Sequence, residues 1–174
     1  MNTLITNWDL QILYKLHTFS SPELDVFFKN ITHTADFKFM SVLLILLLVF
    51  QHTRKIGKQI LVAELLQLAV GGYLLKHLIA RARPFIVDPT IELIIKAPHS
   101  YSCPSGHSST AFALAFVLVF SDCPIYWKLL AFIWAVIICL SRLYLQVHFP
   151  TDVLLGAILG CCCAYVSNYL ICRR

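Results

Sequence analysis

Charge is scarce in this sequence. Only 13% of its 174 residues are Asp, Glu, Lys or Arg, while 59% are hydrophobic. Soluble domains have about 25% charged and about 45–50% apolar residues. A small domain also has proportionally more surface to cover with polar groups. The composition therefore excludes a soluble domain, and equally excludes disorder. Six glycines are too few for a collagen-type repeat. The sequence also lacks sustained heptads, internal repeats and low-complexity linkers. A basic stretch leading through a short apolar run to a small-residue cleavage site is absent from the N-terminus, so no cleaved signal is expected. The seven cysteines are odd in number and lie mostly in apolar runs, which argues against a disulfide framework. Cys161, Cys162 and Cys163 would point about 100° apart on a helix and cannot converge on one metal, so they read as small packing residues.

What is abundant is apolar sequence in lengths that suit membrane helices of about 20 residues. The expected fold is all-α, a polytopic membrane bundle of about six transmembrane helices forming a single domain over 1–174. Residues 1–21 are mixed and aromatic, as in an interfacial amphipathic segment. The expected spans are a short or tilted one from Pro22 to about Thr34, then Phe37 to Phe50, Ile60 to about Ala80, Ser105 to Phe120, Ile125 to about Leu140, and Pro150 to Cys172. Arg54, Lys55 and Lys58, Lys128, and Arg173 and Arg174 mark cytoplasmic ends by the positive-inside rule. The connections at 81–103 and 141–149 then lie together on the opposite side. The net charge of +5 thus speaks for topology and an anionic ligand, not for nucleic acid.

Those two connections hold the chemistry. Lys76 and Arg83 are seven residues apart, two turns on one helical face, and Pro84 ends any regular helix there. In Pro104-Ser105-Gly106-His107, Ser105 suits a helix N-cap, Gly106 admits a ligand close to the backbone, and free N–H groups of a helix start attract an anion. In the third cluster, Ser141 to Asp152, Pro150 suits the first position of a helix. Asp152 in its first turn can reach back to one nitrogen of His148, leaving the other free to attack. Two histidines, a carboxylate and at least three cations on one side of the membrane are the parts of a phosphoryl-transfer site.

These residues closely resemble the type 2 phosphatidic acid phosphatases, metal-independent lipid phosphatases related to vanadium haloperoxidases. The family pattern is matched by Lys76 to Arg83-Pro84, by Pro104-Ser105-Gly106-His107, and by Ser141-Arg142 to His148 to Asp152, with both internal spacings kept. The resemblance implies that His148 attacks phosphorus, Asp152 supports it, and His107 protonates the leaving oxygen. It implies that Lys76, Arg83 and Arg142, with Ser105 and the Gly106 backbone, bind the phosphate. No metal and no cofactor are implied. Arg81 and His77 fall outside the pattern. The short chain resembles compact bacterial members, which act in the plasma (inner) membrane on undecaprenyl diphosphate, phosphatidylglycerol phosphate, phosphatidic acid or related lipids. Undecaprenyl diphosphate leads, since its recycling needs a site on the outer face.

Competing chemistries fit less well. A cysteine phosphatase built on Cys103 needs an arginine six residues on, where Ser109 stands. A two-metal phosphatase needs grouped carboxylates, and the nine acidic residues are scattered. A small channel or transporter subunit could use Glu64 and Gln67 as a polar path, although Glu64 reads better as paired or solvated about a turn from the cytoplasmic end. The loop at 85–102 reads either as a contact for the lipid or its headgroup or as a plain interfacial segment.

Overall fold

The computed structural model describes residues 3–172, and among these no strand occurs. The helices are α1 (Thr3–His17), α2 (Pro22–Thr32), α3 (Phe37–Val49), α4 (Arg54–Gln67), α5 (Lys76–Ile79), α6 (Pro84–Val87), α7 (Gly106–Phe120), α8 (Ile125–Tyr144) and α9 (Pro150–Cys172). A 3-10 turn, His33–Ala35, joins α2 to α3, and a π-helical stretch, Leu68–Leu75, joins α4 to α5. Arg173 and Arg174, two of the expected cytoplasmic markers, lie outside the described residues.

Among the described residues, three runs are long and apolar enough to cross a membrane: Arg54–Val87, Ile125–Tyr144 and Pro150–Cys172. A fourth is reached if the pair Pro22–Ala35 and Phe37–Val49, bent by 49°, counts as one broken span. Gly106–Phe120 is apolar but has only 15 residues. The chain is thus an all-helical membrane protein with three to four candidate spans.

Local chemistry sets the boundaries. Ser21 caps α2 by accepting from Leu24 N at 3.3 Å, Pro22 follows at the first helical position, and Glu23 and Asp25 sit in the first turn, where the dipole favours them. Ser105 caps α7 through Ser108 N. Helix α8 runs on to Tyr144, past the expected end near Leu140. Its last turn is buried, which puts Ser141 and Arg142 on the helix and leaves only 145–149 as connection.

Helices α7 and α9 form the closest pair. Gly156 and Gly160, four apart on α9, let its backbone rest directly on α7. A Cβ at Gly160 would stand 2.2 Å from Ser109 O and 2.9 Å from Ala113 N, and one at Gly156 would stand 2.4 Å from Ser105 O. Close approach of small residues is how membrane helices gain packing without a hydrophobic drive between them. Ala111, Ala113, Ala115, Cys163 and Ala164 extend this core, while Cys162 faces outward and Cys161 is half-buried.

This contact predicts a sharp contrast between glycines. Gly160→Ala collides with backbone and is expected to lose about 1–3 kcal/mol, the usual cost of overpacking. Gly72→Ala meets only the tip of Leu68, at 3.8 Å, and should leave stability unchanged or slightly raised. Thermal unfolding in detergent checks both; equal melting temperatures would remove the case for a backbone-tight α7–α9 seam.

Candidate active site

The site lies where α5, the 80–105 segment, the start of α7, the end of α8 and the start of α9 meet. His148 is 3% exposed, in the short connection before α9. Its Nε2 lies 3.3 Å from Arg83 Nη1. A guanidinium can only donate, so Nε2 carries the lone pair and the ring proton sits on Nδ1. That nitrogen faces Asp152 Oδ2 at 3.8 Å and makes no hydrogen bond. Burial disfavours the charged ring, and the nearby Arg83 and Arg142 push the same way. Against the opposing pull of Asp152, they hold His148 down at about 3. The imidazole is therefore neutral near pH 7, with its free nitrogen on the cationic side.

Asp152 stays 3.8 Å from the ring because its oxygens are already taken. Oδ1 accepts from Arg81 Nη1 at 2.6 Å, and Oδ2 accepts from Ser102 Oγ at 2.5 Å and from Phe149 N at 3.0 Å. Arg81, which lies outside the motif, is 6% exposed and bridges Asp152 to Asp9 Oδ2 at 2.6 Å, with its guanidinium 3.9 Å from the Phe149 ring centroid. Asp9 belongs to α1, so the N-terminal helix does more than lie at the interface. It inserts Asp9 and Leu13 against the site, 2% and 0% exposed.

The shared helical face expected for Lys76 and Arg83 does not exist. Ala80 adopts a left-handed conformation (φ 44°, ψ 40°) that ends α5, and residues 80–83 are not helical. Pro84 then opens α6, as the proline rule demands. The two cations meet through Ser100 instead: Lys76 Nζ donates to Ser100 Oγ at 3.0 Å, and Arg83 Nη2 donates to the same hydroxyl at 3.1 Å. Arg83 also donates to Ser100 O, Tyr101 O and Val147 O. The 85–102 loop thus serves as scaffold for the cations, and its Leu93, Ile94 and Ile95 pack against Tyr144, Leu145 and Val147. His77 is exposed, as expected of an interfacial residue, with Nδ1 2.6 Å from Tyr73 O.

The remaining residues face the same place. Ser105 N donates to Asp152 O at 3.0 Å, tying the α7 cap to the α9 start. Gly106 has nothing within 4 Å of where its Cβ would be, so the space beside its backbone is open to a ligand. Arg142 is 3% exposed and donates from Nη1 to Thr32 Oγ1 at 2.6 Å, while its Nε has no partner. It stands within electrostatic reach of both Arg83 and His107. His107 Nε2 lies 2.9 Å from Asp36 Oδ1. Among the described residues, no group of three or more His, Cys, Asp and Glu side chains is placed to hold a metal ion. Glu64 is paired, accepting from Gln67 Nε2 and Thr110 Oγ1, but α4 starts earlier than expected and places it ten residues from the helix start instead of about a turn.

Chemically, the arrangement offers a neutral imidazole with a free nitrogen, a carboxylate behind it, three cations, open backbone N–H groups at a helix start and a second imidazole. Such a set can bind a tetrahedral oxyanion and attack its centre.

Fold and site together define an all-helical membrane protein with a histidine–carboxylate pair walled by Lys76, Arg83 and Arg142. The chain belongs to the PAP2 superfamily, whose family model matches residues 57–174. It is 37% identical over 123 residues to an undecaprenyl-diphosphatase of Sulfolobus acidocaldarius, covering 70% of this chain and 58% of that protein. It is 29% identical over 102 residues to the bacitracin transport permease protein BcrC of Bacillus licheniformis, covering 57% and 45%. The matches thus span about half the length of these curated relatives. Among solved structures, LpxE of Aquifex aeolicus superposes with a TM-score of 0.82 at 30% identity, over 92% of this chain and 94% of that one. The PAP2-type phosphatidylglycerolphosphate phosphatase of Bacillus subtilis gives 0.82 at 26%, over 97% and 87%.

Proposed function

We propose that this chain is a membrane lipid phosphatase that acts through a phosphohistidine, with undecaprenyl diphosphate as lead substrate. The observation that carries the reading is the neutral His148, its bare Nε2 held against Arg83. A phosphate arriving at Lys76, Arg83 and Arg142 draws the guanidinium onto its own oxygens and frees Nε2 for attack. The N–P bond forms as the bond to the leaving oxygen breaks, and that oxygen takes a proton from His107. As Nε2 bonds to phosphorus the ring becomes cationic, and its Nδ1–H is drawn toward the Asp152 carboxylate, shortening the 3.8 Å gap. Water then attacks phosphorus, gives its proton to His107, and inorganic phosphate leaves. Ser105 and the Gly106 N–H hold the phosphate throughout.

The whole chain acts as one domain crossing the plasma membrane up to six times, with the bent α2–α3 pair and the short α7 supplying the spans beyond the long helices. Arg54, Lys55 and Lys58 sit at the end of the bundle opposite the site, which supports a cytoplasmic placement for them and an outer-face site. The Sulfolobus relative's name supports undecaprenyl diphosphate. The Bacillus subtilis structure, similar over more of this chain, supports phosphatidylglycerol phosphate as runner-up, with phosphatidic acid behind it. The word permease in the second relative's name suggests transport, but a transporter has no use for His148, Asp152 and His107 in this arrangement.

The test is phosphate release in detergent with EDTA, with undecaprenyl diphosphate, phosphatidylglycerol phosphate and phosphatidic acid assayed side by side. Release from all three is expected, fastest at kcat/KM for the diphosphate. Loss of activity on adding EDTA would refute metal-free hydrolysis, and a higher kcat/KM for either monoester would hand the substrate to that lipid.

A further inference from the structure

The bend between α2 and α3 contributes a side chain to the site that no motif contains. Asp36 occupies the N-cap position of α3, where an aspartate ordinarily accepts from the helix's own N–H groups. Here it makes no side-chain cap hydrogen bond. Both carboxylate oxygens are turned elsewhere: Oδ1 lies 2.9 Å from His107 Nε2, and Oδ2 lies 2.7 Å from His33 Nδ1. Four residues earlier, Thr32 holds Arg142. The α2–α3 corner is thus a wall of the site, and Asp36 gives up its local partner to make that wall.

We propose that Asp36 is a positioning residue for His107, forming a second histidine–carboxylate pair that serves the acid–base steps as His148 and Asp152 serve the nucleophilic one. This rests on the phosphatase reading above. A carboxylate can only accept, so it fixes a proton on Nε2 and leaves Nδ1 to face the reacting oxygen. It also solves an electrostatic problem. His107 stands in the first turn of α7, where the helix dipole disfavours an imidazolium, and it lies within reach of Arg142. To protonate a leaving oxygen, His107 must carry protons on both nitrogens, and Asp36 supplies the opposite charge that favours that form. His33, with its side chain 61% exposed, braces the other oxygen.

The test exploits leaving-group chemistry. An alkoxide must be protonated as it departs, whereas p-nitrophenolate needs no proton. In single-turnover experiments, Asp36→Asn is expected to slow alcohol release from a short-chain phosphatidic acid by about 100-fold, the usual worth of acid catalysis, and to slow p-nitrophenolate release from p-nitrophenyl phosphate by less than about threefold. His107→Ala should show the same pattern, and adding Asp36→Asn to it should cost nothing further. Equal losses on the two substrates would assign Asp36 a merely structural role and overturn the proposal. Undiminished alcohol release, or losses that add in the double variant, would overturn it as well. The wild type is read first: if it releases neither alcohol nor nitrophenolate, the phosphatase reading is what has failed.

Discussion

Replacing His148 by alanine is expected to cut phosphate release by about four orders of magnitude or more, as loss of a nucleophile does in enzymes that form covalent intermediates. The size follows from the geometry. Binding by Lys76, Arg83 and Arg142 survives the change, so KM should move little, but among the described residues no second imidazole contacts Arg83, and the Ser100 hydroxyl there has no base beside it to take its proton. A trapping experiment checks the intermediate itself. Quenching the wild type during turnover of a radiolabelled phosphate should leave acid-labile, base-stable label on the protein. His148→Ala should carry none, whereas His107→Ala should carry label for longer, because water attack is slowed. Label on the His148 variant would refute the phosphohistidine. The same residue also affects folding. His148 is held down at about 3 in the native chain against 6.5 when unfolded. Between those values the unfolded chain binds the extra proton, so native stability falls as pH drops through this window. His148→Gln removes that contribution, and its melting temperature should fall less on acidification than that of the wild type.

Much of this site is legible in the sequence because its motifs are local. Ser105-Gly106-His107 caps and opens α7, and His148 to Asp152 opens α9, so short-range rules for helix starts place both histidines and one carboxylate near helix ends. The partners that hold them are not legible, because they come from far away in sequence. Asp36 is 71 residues from His107, Asp9 is 72 from Arg81, and Thr32 is 110 from Arg142. Lys76 and Arg83 do converge, but helical periodicity is not the cause. Periodicity assumes an unbroken helix, and the left-handed Ala80 breaks it. Arg81 carries no local signal: it stands two residues before Arg83, outside the motif, and its partners Asp152 and Asp9 are 71 and 72 residues away. Of the spans, the runs 125–144 and 150–172 announce themselves by length and hydropathy, and Pro22 to Thr34 and Phe37 to Phe50 are legible as two helices, while the 49° bend between them, interrupted at Asp36, is not. The interruption is where the side chain that meets His107 resides.

The second large effect is expected at Arg81, and it is one of stability before activity. In the sequence Arg81 only falls outside the motif, and an ordinary surface cation costs within about 0.5 kcal/mol to remove. In the structure its side chain is 5% exposed, between Asp9 at 3% and Asp152 at 0%. Desolvating three charges is expensive, so the cluster is weak evidence of net stabilisation in itself. Breaking it is another matter. Arg81→Ala leaves two carboxylates buried near one another with no cation between them, and such a loss costs about 3–5 kcal/mol. The Phe149 ring also loses the guanidinium that covers it. Asp9 retains only Thr151 N and Oγ1, and Asp152 retains Ser102, Phe149 N and the distant His148. The orphaned charge on Asp9 can be removed separately. Asp9→Asn in the Arg81→Ala background should therefore recover stability, with a coupling of about 0.5–3 kcal/mol in the double-mutant cycle. Unfolding in detergent measures all four corners. A single-variant loss of only about 0.5 kcal/mol, the size of a surface change, would show that Arg81 is solvated. Strictly additive changes would show that α1 does not brace the site. Where the double variant is folded but slow in phosphate release, the fault lies in Asp152 no longer being held behind His148. The effect of α1 on the reaction then runs through Asp9, Arg81 and Asp152 in that order.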